Sequence, residues 1–146
     1  MKILETLRSS EMISTRYTVG ALAKATNTKA VTIRYYEQVG LLLPAGRSVS
    51  GYRFYTDEER DRLLFIRRSR ALGFSLDDIR ELLSFANKRD ASCARVDAKV
   101  EGQLDQVRMR IQDLLGLEAE LERLIACCKG GVIEQCRIIE SMSNRC

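Results

Sequence analysis

From Cys93 to Lys129 the chain contains no proline, and the only glycines in that run are Gly102 and Gly116. Each glycine costs a helix about 1 kcal/mol relative to alanine, which a long helix absorbs. Alternating steps of four and three through the run meet Val100, Leu104, Val107, Ile111, Leu114, Glu118, Leu121, Ile125 and Cys128. Only Glu118 breaks this apolar seam, and Leu115 and Leu117 flank it. A heptad pattern sustained over about four repeats is the signature of a coiled coil. A chain of 146 residues leaves little for so long a helix to pack against within itself. The expectation is a dimerisation helix over 92–129 that buries its seam against a second copy.

The direction of pairing follows from the cysteines. At about 1.5 Å per residue, Cys93 and Cys128 lie roughly 50 Å apart on a straight helix. They cannot share a metal within one chain. In an antiparallel pair, the start of one helix lies beside the end of the other, and Cys93 approaches the partner's Cys127 or Cys128. The same register opposes Val100 to Leu121, Leu104 to Leu117 and Val107 to Leu114, all apolar. Gly130 and Gly131 then permit the left-handed exit that ends a helix. The chain turns back and presents Cys136 at the start of a short final helix. The segment 127–146 is therefore expected to form a metal-binding loop and that helix, with Cys93, Cys127, Cys128 and Cys136 as candidate ligands.

The donor set restricts the chemistry. There are five cysteines and no histidine. An odd thiol count argues against a closed disulfide framework. Without histidine the usual nucleophile-and-base pairs are missing, so no catalytic residue is expected and the chain is not read as an enzyme. Thiolates select soft ions. Three of them suit Hg(II) or Pb(II), whereas Zn(II) or Cd(II) would take a fourth donor such as Cys128, Glu134 or water. The alternative is a thiol redox sensor that uses the same cysteines without metal. Residues 1–16 form an N-terminal extension in which charged and apolar residues alternate, unlike a secretory signal. No apolar run is long enough to span a membrane. A cytoplasmic location is expected, where thiols stay reduced.

Charge points to a polyanion partner. Residues 17–72 carry ten Lys/Arg against five Asp/Glu, and residues 73–146 carry eleven against thirteen. Thr18 is placed to cap a helix bearing Val19, Leu22 and Ala23 on one face. Asn27 suits a left-handed turn, and Thr28 is placed to cap a second helix with Ala30, Ile33 and Tyr36 inward, ended by Gly40. Two short amphipathic helices across a tight turn make a helix-turn-helix. The outer face of the second carries Lys29, Thr32, Arg34 and Tyr35, suited to groove and phosphate contacts. An ordinary helical hairpin would show the same pattern. The stretch 44–55 that follows has turn residues Pro44, Gly46, Ser50 and Gly51 around an alternating Tyr52–Tyr55. It reads as a hairpin wing, with Arg47 and Arg53 gripping phosphates and Tyr52 or Tyr55 packing alongside, although these aromatics fit a core equally well. Thr56 opens a further helix with acids in its first turn and bases in its last, an order that suits the helix dipole. Ser75 and Asp78 form a near capping box for the next helix.

These residues carry a resemblance. TVGALAKATNTKAVTIRYYEQVGLL, GYRFYTDEE and ALGFSLDDIRELL, together covering about Tyr17 to Phe85, resemble the DNA-binding half of the MerR family of transcriptional regulators. The remainder resembles the family's metal-sensing branch, with a Cys at the start of the dimerisation helix and two more around a loop at its far end. The resemblance implies a mostly α fold: a winged helix-turn-helix DNA-binding domain over 17–87, then an antiparallel coiled-coil helix and a C-terminal metal loop. It implies a homodimer on a dyad-symmetric operator in double-stranded promoter DNA, which distorts the DNA for RNA polymerase when a soft divalent metal binds. Arg34, Tyr35, Arg47 and Arg53 match DNA-contacting positions. Copper(I)-type members lack the Cys at the helix start. Mercury-type and zinc-type members use a His near the loop, absent here, so the choice among Hg(II), Pb(II), Cd(II) and Zn(II) stays open.

Overall fold

The computed structural model describes residues 15–127, 130–133 and 136–143. Most of the expected N-terminal extension, and with it Cys128, Lys129, Glu134 and Cys146, lies outside the described residues. The chain divides into two compact units, Met1–Val96 and Asp97–Cys146.

Among the described residues, the first unit opens with helix α1 (Val19–Thr26) and helix α2 (Ala30–Gln38). The Thr18 hydroxyl accepts from the Ala21 amide at 3.1 Å, which satisfies one orphan donor of the first turn. Asn27 stands at the end of α1 with φ 49°, the left-handed geometry the turn needs, and it is the one described non-glycine residue with positive φ. Thr28 behaves otherwise than expected. The N-cap of α2 is Lys29, with no side-chain cap, and the Thr28 hydroxyl donates back to the Thr26 carbonyl at 3.2 Å. The hydroxyl therefore finishes the preceding helix's turn instead of starting the next helix.

A two-stranded antiparallel hairpin follows, β1 (Gly46–Arg47) and β2 (Arg53–Phe54), paired Gly46 to Phe54 and Arg47 to Arg53. Gly46 lets the Phe54 ring lie close: a Cβ there would meet ring carbons at 2.8 and 2.9 Å and push the ring aside. Gly51 closes the turn with φ 83°. Tyr55, just past β2, bridges to Tyr17 through reciprocal backbone bonds of 2.7 and 2.9 Å. The wing is thus tied to the chain just ahead of α1.

Helix α3 (Asp57–Ala71) and helix α4 (Leu76–Ala86) pack beneath. In α3 the Thr56 amide and hydroxyl both donate to the Glu59 carboxylate, at 2.7 and 2.5 Å. In α4 Ser75 and Asp78 form the reciprocal capping box. The core they enclose holds Leu22, Ile33, Tyr36, Leu41, Leu42, Leu63, Ile66, Phe74, Ile79, Leu82 and Leu83, joined by Tyr55. Three arginines then fasten the helix-turn-helix to α3 and α4 by donating to carbonyls at its helix ends and turn. Arg67 donates to the Thr26 oxygen, Arg62 Nε to Leu41 at 2.7 Å, and Arg80 Nη2 to Val39 at 2.8 Å. Carbonyls left over at helix ends need such donors once water is excluded.

Helix α5 (Ala94–Cys127) is a single element, and no residue along it is buried. Val100, Leu104, Val107, Ile111, Leu114, Leu121 and Ile125 all lie exposed. After it, Gly130 and Gly131 adopt φ 85° and 128°. The Cys136 amide then donates to the Ile133 carbonyl at 3.0 Å, and Cys136 leads into helix α6 (Arg137–Ser143), accepting the Glu140 amide at 3.2 Å. No helix among the described residues is long and apolar enough to cross a membrane.

Candidate nucleic-acid interface and cysteine cluster

Six of the eight predicted DNA-facing residues line two hollows beside α2, and Tyr35 and Arg47 line neither. A cleft of about 290 Å³ opens between the N-terminus of α1, α2 and the wing. Thr18, Val19, Arg34, Gly51, Tyr52, Arg53 and Tyr55 line it. Two guanidinium groups, a hydroxyl and a helix N-terminus around one cleft form a natural phosphate seat, because the backbone amides and macrodipole there favour anions. A second hollow of about 410 Å³ is lined by Asn27, Thr28, Lys29, Thr32, Tyr36, Arg67 and Arg70. Lys29 and Thr32 thus sit on the far side of α2 from Arg34. Arg67 and Arg70 each already donate to a carbonyl, of Thr26 and Phe74.

On the outer face of α2, Tyr35 is about half exposed, its ring tilted 5.8 Å from that of Tyr36. In the wing, Arg47 Nη1 donates to the Gly51 carbonyl at 3.2 Å and so braces the hairpin turn while its side chain stays at the surface. Tyr52 is 74% exposed. Arg16 lies over the Phe54 ring at 4.5 Å, a cation–π contact that adds a further guanidinium beside the wing.

Tyr55 departs from the expectation of a surface contact. It is 0% exposed and belongs to the core, although it also lines the cleft. The hydroxyl donates to Glu37 Oε1. Burial, and then the hydrogen bond to that carboxylate, push its pKa well above the ordinary tyrosine value. Alternation along β2 explains the inversion. Tyr52 and Tyr55 differ by an odd number of positions, so they point to opposite faces of the ribbon. Glu37 itself was not singled out by sequence reasoning. Its signal was available: a carboxylate in R-Y-Y-E, on the face of a helix otherwise expected to meet phosphates.

Cys93 immediately precedes α5 and Cys127 ends it, and both are exposed. Cys136 is half-buried at the entry to α6. Among the described residues of one chain, no three Cys, Asp or Glu side chains come together as a metal site. Cys128 lies outside the described residues.

Residues 17–86 match the MerR HTH family of regulatory proteins, and residues 60–124 match the segment described as MerR, DNA binding. The transcriptional regulator CueR of Vibrio cholerae is 38% identical over 128 residues, spanning 88% of this chain and 92% of CueR. The chain belongs to the MerR family. It is thereby a DNA-binding regulatory protein, not an enzyme. Among solved MerR-type structures, PbrR691 from Ralstonia metallidurans CH34 in complex with lead(II) is 36% identical. It superposes with a TM-score of 0.78 over 86% of this chain and 98% of its own. HiNmlR, a MerR family regulator lacking the sensor domain and bound to promoter DNA, is 27% identical with a TM-score of 0.57, covering 77% and 86%.

Proposed function

We propose that the chain is a metal-responsive transcription regulator that binds a dyad-symmetric promoter operator as an antiparallel homodimer. The observation that carries the reading is the combination in PbrR691, a lead(II) complex, of fold similarity and coverage of nearly its whole chain. The exposed seam of α5 supports the dimer, since an apolar stripe of that length is stable in water only when covered. HiNmlR, similar in fold and bound to promoter DNA, supports DNA as the partner, and the basic side chains around α2 and the wing make these the DNA-reading elements. Arg34 and Tyr35 then approach base edges and adjoining phosphates, and Arg47, Tyr52 and Arg53 hold the backbone beside the groove. Lys29 and Thr32 serve the phosphates on the opposite side of α2.

The donor set fits a soft ion: thiols without histidine, placed at both ends of the pairing helix. Cys93 of one protomer, with Cys127 or Cys128 and Cys136 of the other, would hold it, and Hg(II) or Pb(II) suits three thiolates better than Zn(II) or Cd(II). Bound there, the metal would lock one dimer arrangement through its differential affinity for two states. That arrangement would deform the promoter so that RNA polymerase engages it, a readout by DNA shape.

In vitro transcription from the promoter adjoining the chain's own gene, across a panel of soft divalent ions, tests this. We expect activation by one of them without loss of the footprint. Cys93→Ser is expected to abolish the metal response and keep operator binding. Activation by peroxide in metal-free buffer, with none by any metal, would replace the metal reading by a redox one.

A further inference from the structure

A surface that seats phosphates should avoid carboxylates, yet Glu37 lies against it on α2. Its side chain is only 11% exposed. Oε2 accepts from Arg53 Nη1 of the wing at 3.0 Å, and Oε1 accepts from the Tyr55 hydroxyl. Tyr55 is buried in the core and pairs with Tyr17 through its backbone. One carboxylate therefore joins the recognition helix, the wing strand and the residue that ties the wing to the body. Arg53 remains 44% exposed despite the pairing, and it lines the same cleft as Arg34 and Tyr52. A guanidinium carries five N–H donors in a rigid fork. Only Nη1 is used by Glu37, so the other donors remain for a phosphate.

We propose that Glu37 is a positioning residue for DNA binding: it presets the Arg53 guanidinium in the cleft shared with Arg34, so that the phosphate meets an already ordered fork. This rests on the reading of Arg53 as a phosphate contact. Simple charge counting and positioning predict opposite signs. Removing a negative charge near DNA strengthens binding if Coulomb repulsion governs. It weakens binding if the carboxylate's work is to hold Arg53, because the freed side chain must then be ordered on binding. A purely structural role through Tyr55 makes a third prediction, since its effect would not depend on Arg53.

The test uses the full-length protein and a fluorescein-labelled duplex selected from a random pool by the wild type. Anisotropy titrations over a salt series compare wild type, Glu37→Gln, Arg53→Gln and the double variant. Glu37→Gln is expected to weaken binding about three- to tenfold per protomer. It should also flatten the dependence of log K on log salt toward that of Arg53→Gln, by at most about 0.9 per phosphate contact. The double variant should bind no more weakly than Arg53→Gln alone. Wild-type or tighter binding by Glu37→Gln overturns the proposal, as does a double variant whose loss is the product of the two single losses. If Arg53→Gln itself binds like wild type, the phosphate reading of Arg53 fails first. Should Glu37→Gln not fold, Glu37→Asp keeps the charge but shortens the reach, and wild-type affinity in that variant overturns the positioning role.

Discussion

Leu114 gives the sharpest test of the antiparallel seam. Its side chain is 63% exposed on the isolated helix and opposes Val107 of the partner in the expected register. Fully burying a leucine is worth about 1.5–3 kcal/mol. Scaled by the exposed fraction, Leu114→Ala removes about 1–2 kcal/mol per copy. The symmetry of the dimer doubles this to about 2–4 kcal/mol, a rise in dimer Kd of roughly 30- to 700-fold. Met109 is the control. It is exposed to nearly the same degree, at 60%, but lies on the opposite face of the helix from Val107 and Ile111. Met109→Ala should leave the Kd within about fivefold, since a surface change away from a contact moves stability by no more than about 0.5 kcal/mol per copy, or about 1 kcal/mol per dimer. Sedimentation equilibrium over a dilution series reads both. Equal weakening by the two variants, or none by Leu114→Ala, would refute a seam and point to undirected hydrophobic association.

Other outcomes follow from the first unit. The raised Tyr55 pKa means that the folded state holds the phenolic proton more firmly than the unfolded chain. Its contribution is complete below the unfolded value of 10.0 and is lost as pH rises through the folded value. Urea unfolding across the alkaline range should therefore show a falling stability that Tyr55→Phe lacks. Arg67→Ala strands the buried end of α1 without its donor to the Thr26 carbonyl. It should cost about 1.5–3 kcal/mol in urea unfolding, the range for hydrogen bonds to charged groups; a loss under about 0.5 kcal/mol would show that water replaces the guanidinium. At Asn27, whose φ is 49°, substitution by Val should cost about 1–2 kcal/mol while Gly is tolerated, read as shifts in thermal midpoint.

Much of this was legible in the residues because it is local. A cap acts within one turn, as Ser75 does on Asp78. The heptad of α5 repeats within two turns, and a left-handed turn needs only Asn27 or Gly51 at the right place. Backbone sterics and short-range hydrogen bonds decide such features before any tertiary contact forms. The MerR resemblance lay in these same segments, and the fold bears it out.

What the sequence left open were pairings across distance and side chains with two natures. Tyr55 has an apolar ring and a polar tip, so composition alone fits it to a core or a groove. Only the assembly of the buried cluster that holds it together with Leu22, Ile33 and Leu63 decided for the core. Thr28 had two hydrogen-bonding options of similar strength, and the position of the Thr26 carbonyl chose between them. Glu37 meets Tyr55 and Arg53 across 18 and 16 positions, and Arg67 meets Thr26 across 41. No periodicity encodes such contacts. They arise when the core brings elements together and leaves a buried charge or carbonyl to be satisfied by whichever donor geometry allows.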